Sequence, residues 1–328
     1  MIPFFRFMRI IWLPAALIIL AMPAPLSAFT QQSLSVVSGN TTGSYYAVSS
    51  ALAKIFNRRS ADYGVRLATA LSEGSVANVE SVAEGKAAFG IGESIILQQA
   101  AKGMGLWEGR ARRGLRAVLG LHVESVTVVA AADRGIMKLG DLKGKRVNIG
   151  APGSTSYEFG EKLLGLSGVS PTDVTFSEQS AALASELLQK GKIDAYIYTV
   201  GHPNLSIAEA TAGARKVLLV PLDKEVIGQV TGSNPLLLPT AVPTAFYPGL
   251  ENRESVPTFG VRSVLFTRSD LDEETVYRLV REIMTNFDLF RRQHPVLQDM
   301  IPRDAADAEV IPLHPGAARY FREAGLLH

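Results

Sequence analysis

The chain has 328 residues, 33 Lys and Arg against 31 Asp and Glu, 47% apolar residues and no cysteine. That length suits two domains with a substantial core, and the 20% charged fraction is ordinary for a globular chain. Lack of cysteine excludes thiol catalysis, iron–sulfur clusters and cysteine-ligated zinc, and the near-balanced charge argues against a nucleic-acid or polybasic membrane role.

Taken in chain order, Arg6 and Arg9 precede an apolar run from Ile10 to Met22, which ends in Pro23, Pro25 and Leu26-Ser27-Ala28. A basic start, an apolar middle and a small-residue end predict a secretory signal peptide over residues 1–28. The run is short for a bilayer span of about 20 residues, and an uncleaved anchor is the alternative. Without Arg6 and Arg9 the basic count falls to 31, equal to the acidic count. The mature protein is therefore expected to be near neutral, soluble and periplasmic.

Short apolar strands then alternate with amphipathic helices. Strands are predicted at Leu34–Ser38, Val65–Ala70 and Phe89–Gly92, and helices at Ser44–Phe56, from Glu73-Gly74-Ser75 onward, and at Ser94–Ala101. Arg116–Ala132 is a long β-rich run, read as two strands joined through His122, Val123 and Glu124 and crossing between domains. A second series follows, with strands at Val147–Gly150, Val174–Phe176, Asp194–Tyr198 and Lys216–Val220. Its helices are Thr155–Leu166, Ala181–Gln189 and Pro203–Ala212, with Pro203 in the first turn. Leu236–Asn252 is proline-rich and read as irregular; Thr258–Thr267 is a return crossing; helices Asp272–Gln293 and Pro315–Ala324 finish the chain. Strand–helix alternation implies mostly parallel sheets flanked by helices. The expected organisation is two α/β lobes, 33–123 plus 258–328 and 124–257, joined by two hinge strands with a cleft between them.

Catalytic signatures are missing. The five histidines, His122, His202, His294, His314 and His328, are scattered without metal-ligand spacing, and there is no G-x-S-x-G or H-E-x-x-H. Gly140–Arg146 and Gly90-Ile-Gly92 imitate phosphate and dinucleotide loops only superficially. No catalytic residue, metal or cofactor is expected.

Three times, however, a strand leads through a Gly and Ser/Thr loop into a helix: Thr42-Gly43-Ser44-Tyr45-Tyr46, Glu73-Gly74-Ser75-Val76-Ala77-Asn78, and Ala151-Pro152-Gly153-Ser154-Thr155-Ser156. Glycine lets a ligand approach the backbone, and the free N–H groups and dipole of a helix start favour an anion. Ser and Thr hydroxyls add donors. Singly, each loop reads better as a helix N-cap, and Tyr45, Tyr46 and Tyr157 as packing residues. Two loops in one lobe and one in the other, with a fourth strand end at Tyr198-Thr199-Val200-Gly201-His202, could together hold a small carboxylate across a cleft.

On these motifs the chain resembles the TAXI family of solute receptors, the substrate-binding subunits of one class of TRAP transporters. Asp141-Leu142-Lys143-Gly144-Lys145-Arg146, Val242–Gly249 and Ile311–Ala317 extend the likeness over nearly the whole mature chain. The resemblance implies a type II periplasmic-binding-protein fold that closes on its ligand. It also implies delivery of the solute to a fused TRAP permease driven by an ion gradient, and the receptor is expected to be a monomer. Its ligand would be a small carboxylate or amino acid such as glutamate, glutamine or 2-oxoglutarate. Matched by position, the ligand-binding residues would be Gly43, Ser44, Tyr45, Ser75, Asn78, Ser154, Thr155, Thr199 and Gly201. Where the family usually carries Gly-Glu-Ala-Asp and a Gln-x-Asp-like segment, this chain has Ala88 and Ile95 at the Asp positions and Glu93 at the Gln position. Val200 and His202 replace residues that are usually smaller or apolar. Glu93 and His202 are thus expected to face the ligand and to alter what the cleft accepts. A sensor for a membrane signalling partner, or a periplasmic enzyme, are the alternative readings.

Overall fold

The computed structural model describes residues 31–308 and 310–327; residues 1–28, read from sequence as a signal peptide, lie outside them. The first half opens with β1 (Gln32–Val37), α1 (Ser44–Phe56), α2 (Ser60–Tyr63), β2 (Val65–Ala70), α3 (Ser75–Ala83), β3 (Phe89–Glu93) and α4 (Ser94–Lys102). The chain crosses on β4 (Leu115–Ala131) into β5 (Arg146–Asn148), α5 (Thr155–Leu166), β6 (Thr175–Ser177), α6 (Ala181–Gln189), β7 (Ala195–Val200) and α7 (Leu205–Ala212). After β8 (Val217–Leu219), α8 (Lys224–Ser233) and β9 (Leu237–Val242), it returns on β10 (Val256–Arg268). It ends in α9 (Glu273–Thr285), α10 (Phe287–Arg291), α11 (Pro302–Ala306) and α12 (Pro315–Glu323).

The strands form one mixed sheet in the order β2-β1-β3-β10-β4-β7-β5-β6, with β8 beside β4 and β9 beside β10. The outer strands pair in parallel on both flanks, β2-β1-β3 and β7-β5-β6, as right-handed strand–helix–strand units require. The two long strands run antiparallel to each other and to their neighbours. This is the α/β class, with mostly parallel flanks covered by helices, that strand–helix alternation in the sequence leads one to expect.

β4 and β10 change partners midway. Residues 115–125 of β4 pair with β10; from Ser125 on, β4 pairs with β7 and β8, while Val256–Val261 of β10 pair with β9. The backbones are pressed together at this exchange. A Cβ on Gly260 would lie 2.5 Å from the Glu124 carbonyl oxygen, so no larger residue fits there. Each half has its own apolar packs on the sheet faces. In the first, Leu52, Phe56, Phe290 and Phe321 pack on one side, and Trp107, Leu97 and Phe266 on the other. In the second, Val147, Phe159, Leu163 and Phe259 pack together, as do Tyr196, Ile207 and Tyr247. Each such side chain contributes roughly 1.5–3 kcal/mol by leaving water.

Several expectations are revised. Leu115–Ala131 is one unbroken strand, not two, because a fresh partner meets it wherever the previous one leaves. The proline-rich stretch after Leu236 contains an ordered strand, β9. Pairing only with β10, β9 sits at an edge, where Pro239 is tolerated. Pro203 precedes the helix rather than opening it, because the Asn204 side chain accepts the Ile207 N–H and sets the start at Leu205. The long helix near Asp272–Gln293 breaks at Asn286, whose Nδ2 donates to the Glu282 carbonyl and whose backbone leaves the helical range.

Candidate functional site

A cavity of about 860 Å³ lies where the parallel strands of both halves end. Its wall takes Gly43, Ser44 and Tyr45 from the start of α1, Ser72–Ala77 from the start of α3, Gly150–Ser156 from the start of α5, and Tyr198–Val200 from the end of β7. Ligands of open α/β sheets bind at just such strand ends. The helix starts differ in how their backbone donors are used. At α1 and α3 the N-cap residues are Gly43 and Gly74, and no side chain caps either helix. Gly74 has φ 104°, a conformation that a residue with a Cβ rarely adopts, so the position excludes the usual Ser or Asp cap. At α5, Ser154 caps in the ordinary way, accepting the Tyr157 N–H at 3.2 Å and donating to the Ala151 carbonyl at 2.7 Å.

Two carboxyl groups dominate the floor. Glu93, at the end of β3, is 7% exposed, and Glu124, in β4, is 5% exposed. The Glu93 carboxyl accepts from the Ser75 hydroxyl of the first half and from the Thr155 hydroxyl of the second, the latter at 2.6 Å. The Glu124 carboxyl accepts from Ser44 Oγ at 3.2 Å and from the Tyr45 hydroxyl at 2.9 Å. Burial pushes Glu93 up to about 7, the Glu124 charge adds to this, and its hydroxyl partners only partly oppose it. Burial likewise raises Glu124 to about 7 against the donors Tyr45, Ser44, Glu93 and the Gly201 N–H. The two acids therefore lie in electrostatic contact, with hydroxyl groups on them and no arginine among the described lining residues.

His122 stands behind them. Its Nε2 is 3.1 Å from Ser44 Oγ and its Nδ1 3.1 Å from Ser263 Oγ. Burial, helped by the Arg262 charge, drives its value down to about 3, so the imidazole is neutral and cannot neutralise Glu124.

Of the residues singled out from sequence, Gly43, Ser44, Tyr45, Ser75, Glu93, Ser154, Thr155 and Thr199 line the cavity. The Thr199 N–H donates to Ser156 Oγ at 2.9 Å, and Thr199 Oγ1, fully buried, has no hydrogen-bond partner among the described residues. Asn78, Gly201 and His202 are not in the wall. Asn78 is wholly buried one turn into α3, where its Nδ2 donates to the Ser38 and Ile91 carbonyls and ties α3 to β1 and β3. Gly201 sits against His122 and Val296, reaching the site through its N–H. His202, instead of facing a ligand, bonds Thr127 Oγ1 at 2.9 Å and the Tyr247 hydroxyl at 2.6 Å. Burial holds it near 3 and neutral, so it braces β4 against Tyr247 from behind the wall. Sequence reading missed Glu124 as a wall residue. Its signal was present, a lone acid in the apolar run Leu115–Ala131, but it was taken for a strand junction.

The arrangement can hold and orient a polar guest. Among the described residues no three His, Cys, Asp or Glu side chains gather as a metal site, and no helix is long and apolar enough to cross a membrane. The fold has solved counterparts. A protein from Bordetella bronchiseptica RB50 is similar at TM-score 0.53 and 17% identity, over 90% of this chain and 99% of that one. The periplasmic aliphatic sulphonate binding protein SsuA from Escherichia coli is similar at TM-score 0.49 and 16% identity, over 89% and 78%. A putative L-cystine ABC transporter protein from Listeria monocytogenes is similar at TM-score 0.49 and 14% identity, over 82% and 97%. At 17% identity the first of these speaks to fold and not to ligand. Sequence goes further: residues 36–325 match the NMT1-like family, nearly the whole described chain, and the protein belongs to that family.

Proposed function

We propose that the protein is an extracytoplasmic solute receptor without catalytic activity, which traps a small carboxylate or amino acid between two lobes, 33–123 plus 258–328 and 124–257. The closed form then delivers the solute to a membrane permease. The observation that carries this reading is the wall itself. Uncapped helix starts of α1 and α3 face into one cavity with the start of α5, and Glu93 joins Ser75 of one lobe to Thr155 of the other. Free first-turn N–H groups hold an oxyanion without an arginine. A ligand held beside the Glu93–Thr155 bridge favours the closed population by the difference in its affinity for the two states.

The site residues in this reading are Gly43, Ser44, Tyr45, Ser75, Glu93, Ser154, Thr155 and Thr199. Asn78, Gly201 and His202 act by supporting the wall. The motif resemblance supports a TAXI-type TRAP permease as the partner, and export by the N-terminal segment would place the receptor in the periplasm. Isothermal calorimetry of residues 29–328 against amino acids, keto acids and dicarboxylates tests the ligand reading. Binding of at least one member with a single site is the expected result; silence across the panel overturns it. Uptake in vesicles carrying a TRAP permease, against vesicles carrying an ATP-driven importer, tests the partner.

A further inference from the structure

We propose that the cavity selects a ligand bearing an ammonium group, a zwitterionic amino acid rather than a simple dicarboxylate, with Glu93 and Glu124 as counter-ions of that ammonium. The inference rests on the solute-receptor reading of the same cavity and narrows its substrate class.

The charge census of the wall comes first. The described lining residues include the acids Glu73, Glu93 and Glu124 and no Lys, Arg or His. A dianion placed there would face acids with no cation to offset them, in surroundings where charges are weakly screened. The second observation is hydrogen-bond capacity. Each buried carboxyl meets two hydroxyls, Ser75 and Thr155 for Glu93, Ser44 and Tyr45 for Glu124. An ionised carboxylate offers about four lone-pair sites; Glu124 also receives the Gly201 N–H, so the room for an added N–H donor lies chiefly at Glu93. An ammonium has three such donors. The third is the opposite polarity nearby. The uncapped starts of α1 and α3 present backbone N–H groups to the same cavity, a place for the carboxylate end of a zwitterion. The unpartnered Thr199 Oγ1 is a further polar atom for the guest.

The groups that surround the two acids leave them to govern the pH response. Burial raises Tyr45 of α1 well above its ordinary value and Tyr198 of β7 to about 12; His122 and His202 stay neutral at about 3. Glu158 of α5 is raised as well, by burial, and bonds Gln99. Raising the pH through the range of the acids at about 7 therefore adds negative charge at the floor. Affinity for an ammonium then rises with pH, whereas a ligand carboxylate received by a protonated Glu93 would bind more weakly.

The experiment pairs each amino acid with its keto acid, L-glutamate against 2-oxoglutarate among them, by calorimetry at pH 6 and pH 8. The expected result is that an amino acid binds about ten- to hundred-fold tighter than its keto partner, and tighter at pH 8 than at pH 6. Glu93→Gln and Glu124→Gln should each erase most of that ratio, their melting curves confirming a folded protein. The wild-type pH comparison needs no variant and decides the matter if either variant unfolds. A keto acid or dicarboxylate that binds as tightly as its amine partner, or more tightly at pH 6, overturns the inference while leaving the receptor reading intact. No binding by any member overturns both.

Discussion

Asp194 and the Glu93–Glu124 pair are carboxyls taken out of water at opposite ends of β7, and the fold treats them in opposite ways. Asp194 is 1% exposed and surrounded by cations. Arg146 grips it with its guanidinium at 2.7 Å and 3.2 Å and its N–H at 2.9 Å, and Arg134 approaches to 2.9 Å. Burial alone would raise its value, but the Arg146 side chain, the Arg146 backbone and the Arg134 charge outweigh this and leave it at about 2. Glu93 and Glu124 receive hydroxyls instead of guanidinium groups, and burial leaves them at about 7. A carboxylate supplied with its own cations is finished as structure. Carboxyls denied any cation are costly to the empty protein and ready for one brought by a guest.

The sharpest break of this contrast is Asp194→Ala. It should cost about 3 kcal/mol in urea unfolding at pH 7, since it removes a buried charge bonded to a backbone N–H and two arginines. A loss under about 1 kcal/mol would mean the cluster is held by exposure of its arginines to water rather than by Asp194.

The pH profile of stability should then carry two slopes of opposite sign. Glu93 and Glu124 hold protons in the folded state up to about 7, against an ordinary 4.5 when unfolded. The unfolded chain binds fewer protons over that interval, so stability falls as pH rises from 4.5 to 7, by roughly 3 kcal/mol for the coupled pair. Asp194 is depressed from 3.8 to about 2, so its contribution is present above 3.8 and is lost as pH falls toward 2, by roughly 2 kcal/mol. Denaturant unfolding from pH 3 to pH 8 measures both. A Glu93→Gln, Glu124→Gln double variant should flatten the upper slope and spare the lower one.

Smaller effects separate the wall from what stands behind it. Asn78→Ala should destabilise by about 2 kcal/mol, because the Ser38 and Ile91 carbonyls lose their donor, and its effect on ligand affinity should follow that loss of stability. Thr155→Val should cost about 1 kcal/mol or less in stability and yet weaken ligand binding, because it cuts the Glu93 bridge between halves. If Asn78→Ala weakened binding more than Thr155→Val in equally stable proteins, the division between wall and support would be wrong.

Much of the architecture could be read along the chain. The helices Ser44–Phe56, Thr155–Leu166 and Ala181–Gln189 have the bounds that apolar spacing and flanking Gly or Ser dictate. The alternation of short strands with helices marked parallel flanks, because such connections need helical crossovers. Local signals failed where pairing overrode them: β9 forms despite Pro239, and β4 runs unbroken because successive partners replace one another.

Sequence by itself determined that three glycine-marked helix starts exist, since composition and period are local properties, while the family resemblance marked Glu93 as a departure. Only the tertiary structure decided which side chains share the cavity. It brought Glu124 from the middle of an apolar strand to the side of Glu93, and turned Asn78 and His202 inward. The reason is that burial and charge contact depend on which strands become neighbours, and that order, β3 and β4 on either side of the returning β10, is written nowhere within a single stretch of chain.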